Sequence, residues 1–487
     1  MFPLVNKLAR GLRRAVDPDR ALQLAMSAAI ESVALRYTLA DEPVRWREGE
    51  PLKLLFAGYV GTRNTGADVR VEEMLRQFRH VLGEDAIEAT VCSVDRSLSA
   101  GYFRRTKQLT LPPLFPKFLH DNCPNYHGVV ACEGSMFKSK FADALSTFMA
   151  GALGMANAEG KLSIGYGGEA GAMSDSLRDF VRDKLRDSLI ICRNAPSRDI
   201  LEGLGVRTKL GTDTAWTFEP APAERAEALL RAAGWDGQAP ILAVCPINPF
   251  WWPVKPDLLK AAAWRVSGQY GPEHYKSIYF HRSGPDVSEK YERYIDELAR
   301  AVGPFARERG LFTILVGMEK VDRRSCERLA ARLSRRPPLF ISDSYDMYDM
   351  VAVLRRCRML VSSRYHAIVT SMGGLVPSAG VTMDERIRNL MNDRGDPDLF
   401  LEVDDPQLSD RLRGMLERLD RDGESIAAGI KRALPDQLRL MGQMGIDLQE
   451  ELRRHHPEFP LPDLGEDPMC YLPPLPAELE SLLTEVA

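Results

Sequence analysis

Arg364 and His366 stand two residues apart, where the apolar run Met359–Ser362 gives way to helical spacing. A guanidinium binds carboxylates and phosphates, and an imidazole exchanges a proton near neutral pH. In an open α/β sheet, ligands bind beyond the carboxyl ends of the strands, where the N-termini of the following helices collect. The stretch therefore predicts an anion site with acid–base chemistry. A surface arginine beside a partly buried structural histidine is the alternative.

A glycine-rich loop follows the first predicted strand, Leu52–Ala57. It contains Gly58, Gly61 and Asn64 and precedes helical spacing. Glycine lets a backbone turn tightly and approach a ligand, and the N–H groups of a helix start face an anion. The loop is a candidate ligand-binding turn, although the same glycine spacing also serves plain strand–helix packing.

Later predicted strands end in polar turns of the same kind. In the first half of the chain these turns supply Glu133, Ser135, Glu169, Arg193 and Asp213, and in the second half His281 and Arg282. Since the carboxyl ends of parallel strands share one sheet edge, we expect these side chains to gather around one site. For the three carboxylates, capping of glycine turns is the alternative.

The elements that position these turns are apolar strands alternating with amphipathic helices. Continuous apolar strands in such an alternation indicate parallel sheets covered on both faces. A chain of 487 residues is too long for one core, and the proline-rich stretch 219–224 reads as a linker. We therefore expect an α/β protein with two Rossmann-like, doubly wound domains, divided as a helical N-terminal extension (1–50), an N-terminal domain (51–220), a C-terminal domain (221–400) and C-terminal helices with a proline-rich tail (401–487).

Composition excludes several classes of protein. A net charge of -4 gives no support for nucleic-acid binding. The eight cysteines have no metal-ligand spacing, so we expect no metal site and reduced thiols in a cytoplasmic protein. Within residues 1–14, leucines alternate with basic residues, which predicts either a helix lying on the inner membrane face or an ordinary packing helix. The oligomeric state is left open.

Taken in order, these turns resemble the motifs of the polysaccharide pyruvyl transferase family. The loop 58–66 is similar to the family's GYxGxxNxGD, the stretch 165–171 to YGxGxGP and the stretch 192–205 to VRDxxSxxxLxxLG. Asp213 stands where the family has the aspartate of TxDPAF, and residues 363–377 resemble the hallmark RLHAxxxAxxxGxP. The resemblance covers roughly residues 52 to 395. The sequence departs from the family at Ala67, Asp68 and Asn194, which is typical of a divergent subgroup.

The resemblance implies the two-domain arrangement called GT-B and the transfer of a pyruvyl group. The donor would be phosphoenolpyruvate, with no further cofactor, and the acceptor would be two hydroxyls of a glycan or lipid-linked sugar, giving a cyclic ketal. Arg364 and Arg193 are the expected anion ligands, and His366 is the expected acid or base. Asp213, Glu169 and Glu133 are candidate bases for the acceptor hydroxyls. The expected substrate-binding residues are Arg193, Gly58, Gly61, Asn64, Glu133, Ser135, His281, Arg282 and Tyr365.

Two other functions fit the same fold. A GT-B glycosyltransferase would place a nucleotide sugar in the cleft, with Glu385 as a candidate ligand for its ribose hydroxyls. A non-catalytic binding protein would keep the fold after its catalytic residues had drifted. The presence of both Arg364 and His366 favours an enzyme.

Overall fold

The computed structural model describes residues 17–39, 42–271, 274–275 and 277–485. The basic, leucine-containing stretch 1–14 lies outside the described residues, so its predicted helix is not tested. Among the described residues, no helix combines the length and the apolar character needed to cross a membrane.

The first sheet has seven strands, all parallel, in the order β3-β2-β1-β4-β5-β6-β7. The strand order reverses between β1 and β4, which is where a doubly wound sheet opens a crevice for a ligand. β3 and β7 were not predicted, because edge strands are half exposed and carry polar residues. The strands are β1 Leu52–Val60, β2 Ile87–Ser93, β3 Lys107–Thr110, β4 Gly128–Ala131, β5 Leu162–Gly168, β6 Leu189–Cys192 and β7 Arg207–Leu210.

The second sheet has six parallel strands in the order β12-β11-β8-β13-β14-β15, with its reversal between β8 and β13. β9 and β10 form a separate antiparallel ribbon outside this sheet. The strands are β8 Ile241–Cys245, β9 Lys255–Pro256, β10 Tyr279–Phe280, β11 Phe312–Gly317, β12 Leu339–Ile341, β13 Met359–Ser362, β14 Ser378–Thr382 and β15 Phe400–Glu402.

Helices cover both faces of each sheet, as the alternation in the sequence predicts. They are α1 Pro18–Leu39, α2 Thr65–Leu82, α3 Pro116–Asn122, α4 Asp143–Ala158, α5 Asp175–Lys184, α6 Ala195–Glu202, α7 Ala223–Ala232, α8 Leu258–Ser267, α9 Pro285–Glu308, α10 Arg323–Ala330, α11 Met347–Arg355, α12 Tyr365–Met372, α13 Glu385–Asp393, α14 Leu408–Arg421, α15 Gly423–His455 and α16 Ala477–Thr484. Short 3-10 turns lie at 123–125, 214–217, 320–322 and 468–471.

α15 returns from the second domain to the first. The sequence predicts two helices separated at Pro435, but α15 runs unbroken through that proline, and the actual break is at Asp422. A proline inside a helix removes one backbone hydrogen bond. Burial of Leu434 and Leu438 on either side compensates, because apolar burial outweighs one lost bond. α15 then packs on the first domain, where Met441 accepts a hydrogen bond from Gln77 at 2.7 Å.

The two domains touch across the cleft, through backbone as well as side chains. The backbone N–H of Thr65 at the start of α2 donates to Met318 at the end of β11, at 2.8 Å. The hydroxyl of Ser342 donates to the carbonyl of Arg63 at 2.5 Å. The carboxyl ends of both sheets therefore face each other at close range, so that turns from the two domains can form one site.

α1 is part of the first domain's core. Met26 is fully buried, and a Cβ at Gly151 of α4 would stand 2.6 Å from its Cγ. Ile30 packs in the same way against Gly154. The two glycines let the helices approach closely, which fixes α1 against α4.

Replacing Met26 with alanine tests this packing. Loss of a fully buried side chain leaves a cavity, so Met26→Ala should lower the free energy of unfolding by about 2–5 kcal/mol. Leu24→Ala on the same helix is the matched control, because Leu24 is 63% exposed. The measurement is the urea midpoint of both variants. Equal midpoints would show that α1 does not contribute to the core.

Candidate active site

The turn that carries Arg364 joins β13 to α12, at the reversal point of the second sheet. Arg364 is the last non-helical residue, with φ −104° and ψ 118°. The Ser362 hydroxyl holds it there by accepting a bond from the Arg364 N–H at 2.9 Å. His366 already lies in the first helical turn. The two side chains therefore leave the turn in different directions and meet different partners.

Asp213 is the centre of a charge network that joins the two domains. Its Oδ2 lies 3.1 Å from Arg70 Nε, 3.1 Å from Arg193 Nη1 and 3.3 Å from His366 Nε2. Burial acts to raise the pKa of Asp213, but Arg70, His366 and Arg193 outweigh it and lower the pKa. The carboxylate is therefore ionised while almost wholly buried.

Arg70 holds the carboxylate of Asp213 in place from within the first domain. Its side chain is fully buried, and it also donates to the carbonyls of Cys132 at 3.1 Å and Gly167 at 2.6 Å. The one guanidinium thus ties the ends of β4 and β5 to Asp213, which follows β7. A planar group with five N–H donors in a fixed geometry suits this bridging.

His366 packs on the start of α2 in the other domain. A Cβ at Gly66 would stand 2.3 Å from His366 Nδ1, so only glycine admits the ring in this position. Burial lowers the pKa of His366 to about 4, although Asp213 acts to raise it. Because Asp213 is ionised, Nε2 carries the ring proton and Nδ1 the lone pair. The side chain is 12% exposed, against 1% for Asp213, so the ring still reaches solvent.

Arg193 extends the network along the first sheet. It forms an ion pair with Glu169, and its guanidinium carbon lies 4.4 Å from the centre of the Tyr365 ring. Glu169 also accepts from Lys138 at 3.3 Å, and Lys138 reaches Glu385 at 2.8 Å. Burial acts to raise the pKa of Glu169, but Arg193 and Lys138 outweigh it and lower the pKa. Cations and carboxylates therefore alternate across the domain contact.

Arg364 belongs to a second cluster, within the C-terminal domain. It donates to Asp322 at 2.6 and 2.8 Å and to Glu319 at 2.8 Å. Glu319 also accepts from the hydroxyl of Tyr275 at 2.8 Å and from the Asn64 amide at 3.4 Å. Burial raises the pKa of Asp322 to about 6 although Arg364 acts to lower it. Glu319 thus brings together a loop of each domain.

A cavity of about 210 Å³ is lined in part by Arg364, Glu319 and Asn64 of the second cluster. Part of its lining is polar and part is apolar. In the polar part, burial raises the pKa of Glu133, and Oε1 of Glu133 accepts a hydrogen bond from the Gly134 N–H at 2.8 Å. The polar wall includes Tyr59, Asn64, Glu133, Ser135, Tyr275, His281, Glu319, Arg364 and Arg386, and the apolar wall includes Leu111, Pro112, Pro113, Phe115, Phe148 and Trp252.

The structure sorts the predicted site residues into three groups. The buried network contains Glu169, Arg193, Asp213, Tyr365 and His366. The cavity wall contains Asn64, Glu133, Ser135, His281 and Arg364. Gly134 connects the two groups, because a Cβ there would stand 2.9 Å from Arg193 Nη1. The predicted roles of these residues in binding and catalysis stay predictions.

The third group lies elsewhere. A Cβ on Gly58 would stand 2.5 Å from Cys132 Sγ, and one on Gly61 2.1 Å from Ser93 Oγ, so both glycines serve packing within their own domain. Arg282 is exposed and is not among the cavity residues. His281, by contrast, stacks on Trp251 at 4.7 Å, and burial lowers its pKa to about 4. The assignment of Gly58, Gly61, His281 and Arg282 to substrate binding stays a prediction.

Several residues of the site were not identified from the sequence. Arg70 sits in an amphipathic helix that contains other arginines, and nothing local distinguishes it from them. Lys138 is the last residue of the turn that contains Glu133, and its place in that turn was the available signal. Glu319 and Asp322 follow β11 in the same manner as the predicted turns follow their strands, which was the available signal. Among the described residues, no group of three metal-ligating side chains is present.

Comparison with known proteins gives one family. A family model for polysaccharide pyruvyl transferase matches residues 139–385, a range that contains Arg193, Asp213, Arg364 and His366. The glycine-rich loop 58–66 precedes the matched range. A search of curated protein sequences finds no match.

Comparison with solved structures shows which fold this chain shares with known proteins. A Listeria monocytogenes protein assigned as a UDP-N-acetylglucosamine 2-epimerase is similar with a TM-score of 0.52 and 11% identity, over 84% of this chain and 98% of that one. Anabaena HepE, solved in complex with UDP-glucose, is similar with a TM-score of 0.51 and 13% identity, over 82% and 100%. Identities this low concern the fold alone, which is GT-B.

The low pKa of His366 predicts a pH dependence of stability. In the folded protein the pKa is about 4, against 6.5 ordinarily, so the unfolded chain binds a proton that the folded chain does not. The contribution of His366 to stability therefore falls as pH falls from about 6.5 to 4, by up to about 3 kcal/mol. Urea midpoints across this range should fall less in His366→Gln than in the wild type. Parallel curves would show that His366 titrates normally.

Proposed function

The chain belongs to the polysaccharide pyruvyl transferase family and is a transferase, and from that premise we propose that it moves a pyruvyl group from phosphoenolpyruvate to two hydroxyls of a glycan or lipid-linked sugar. The observation that carries the proposal is Asp213, which binds two arginines and the histidine of the Arg-Tyr-His turn across the domain contact. No cofactor beyond the donor is needed.

The chemistry sets requirements that the site can be checked against. Two C–O bonds form to the sugar, while the C–O bond to phosphate and the π bond of the donor break. One hydroxyl proton ends on the methylene carbon, which becomes a methyl group, and the other leaves with the phosphate. The site must therefore hold a carboxylate and a phosphate, deliver a proton to carbon and remove protons from hydroxyls.

The polar lining of the cavity suits the donor. Arg364 and Arg386 supply guanidinium groups, and Asn64 and Ser135 supply neutral hydrogen-bond donors. Glu133 is the proposed proton donor to carbon, because a carboxyl whose pKa is raised by burial holds its proton closer to neutral pH. These groups come from both domains, so the donor would bind only when the domains are in contact.

His366 is the proposed base for the acceptor hydroxyl. Its low pKa keeps the ring neutral at working pH, and the ionised Asp213 stabilises the imidazolium once it forms. The ring lies against Gly66, two residues from Asn64 on the cavity wall. Trp252 and the apolar wall would take the carbon-bound faces of the acceptor.

Ligand binding and phosphate release test the function. Phosphoenolpyruvate should raise the melting temperature, because a ligand bound to the folded state alone stabilises it. His366→Gln should lower phosphate release from phosphoenolpyruvate with a glycan acceptor by about 10²–10⁴-fold. His120→Gln, on the surface helix α3, is the matched control. Stabilisation by a UDP-sugar or GDP-sugar instead would favour a glycosyltransferase, and stabilisation by none of these ligands a binding protein.

Gly66 gives a second test, which acts through His366. In an exposed helix, glycine to alanine stabilises by up to about 1 kcal/mol, but a Cβ at residue 66 would collide with the imidazole. Gly66→Ala should lower kcat by about tenfold or more, because a small displacement of a catalytic group is costly. Gly414→Ala is the control, since a Cβ there meets nothing within 4 Å. Wild-type kcat in Gly66→Ala would remove His366 from the mechanism.

A further inference from the structure

Most of the exposed large hydrophobic side chains lie on a few elements of the chain. Ten are exposed among the described residues, and eight of them lie on α1, on the loop before α3 or on α8. Single exposed hydrophobics are ordinary, whereas a concentration of them marks an interaction surface. The eight are Leu24, Leu35, Tyr37, Leu39, Leu114, Leu258, Leu259 and Val266.

The elements that carry these side chains touch one another. Asp19 at the start of α1 forms an ion pair with Lys255 of β9, at 2.5 Å. Further along α1, Ser32 lies 3.5 Å from His120 of α3. The hydroxyl of Tyr279 on β10 donates to the carbonyl of Pro113, next to Leu114, at 3.1 Å. α1, the loop before α3, and the ribbon that leads to α8 are therefore neighbours, and we call the exposed surface of these elements and of α8 the apolar face.

On the helices of the apolar face, the exposed hydrophobics form stripes. α8 exposes Leu259, Ala262, Ala263 and Val266, which is the spacing of a single helix face, and Val266 is 91% exposed. Trp264 turns inward to Phe280, with ring centres 5.1 Å apart. α1 exposes Leu24, Ala28, Leu35 and Leu39 opposite its buried side. α1 thus has one apolar side in the core and a second facing out, whereas α8 has one apolar side packed on Phe280 and a second facing out.

The charged residues near these exposed hydrophobic side chains indicate what kind of partner covers them. α8 contains Lys260 and Arg265 and no acidic residue. Residues 1–16, which precede Asp17, carry four basic residues, no acidic residue, and leucines at positions 4, 8 and 12. Because Asp19 is bound to Lys255, this basic stretch joins the chain at the apolar face. Leucines combined with cations suit an anionic lipid surface, which offers both hydrocarbon and negative headgroups.

We propose that the apolar face docks on an anionic lipid bilayer. Pro113, Val254 and Tyr279 line the cavity and belong to the same elements, so docking places the cavity beside the lipid surface. A sugar attached to a membrane lipid would then reach the cavity without leaving the bilayer. Docking of this kind would be the same whichever donor the enzyme uses.

Vesicle flotation of the full chain tests the docking. The protein should float with phosphatidylcholine vesicles that contain phosphatidylglycerol, and less with phosphatidylcholine alone or at high salt. The double substitution Leu259→Ser with Val266→Ser should weaken the partition by roughly tenfold, because two exposed side chains lose their burial in lipid. Ile200→Ser is the matched control and should float like the wild type.

A second pair of substitutions, on α1, is the control for local effects of the substitutions on α8. Leu35→Ser with Leu39→Ser removes the far part of the stripe on α1 and should also weaken flotation. Circular dichroism melting should be unchanged in all variants, because the replaced side chains are exposed. Absence of flotation, or equal flotation of both double variants and wild type, would overturn the proposal. So would a dimer, seen by light scattering, that these substitutions disperse while no vesicle binds, since a second copy would then cover the face.

Discussion

The ionised carboxylate of Asp213 is the buried charge on which the arrangement of the site depends. It is almost wholly buried, and burying a charge is costly unless partners compensate it. Arg70 and Arg193 supply that compensation from the first domain, and His366 adds a hydrogen bond from the second. Removing either arginine would weaken the compensation of a charge in the interior, so the positions of the ionisable groups depend on one another.

Glycines allow the charged side chains to reach each other. Gly66 admits the imidazole of His366, Gly134 the guanidinium of Arg193, and Gly171 the carboxylate of Glu385. At each position a Cβ would stand less than 3 Å from a site atom. The glycine-rich turns therefore serve close packing of side chains from neighbouring turns and from the other domain. Direct approach of the backbone to a ligand is not required to explain them.

The cavity and the apolar face together offer surroundings for two different kinds of group, charged and apolar. The polar lining of the cavity gathers charged side chains from both domains, with Arg364 and Arg386 as well as Glu133 and Glu319. Its apolar lining includes Pro113 and Val254, which belong to elements of the apolar face. An amphipathic acceptor held at a lipid surface would match both parts of the lining, because its sugar and its hydrocarbon would each meet a wall of matching polarity.

The sequence by itself determined the alternation of strands and helices, the two parallel sheets and the placing of Arg364, His366, Arg193 and Asp213 at strand ends, because periodicity and turn chemistry are local properties. Only the tertiary structure decided that Arg364 binds Glu319 and Asp322 while His366 binds Asp213, that α15 continues through Pro435, and that Arg70 is buried in the network. Those outcomes depend on which side chains of distant segments meet when the domains pack, and such contacts leave no mark in the spacing of neighbouring residues.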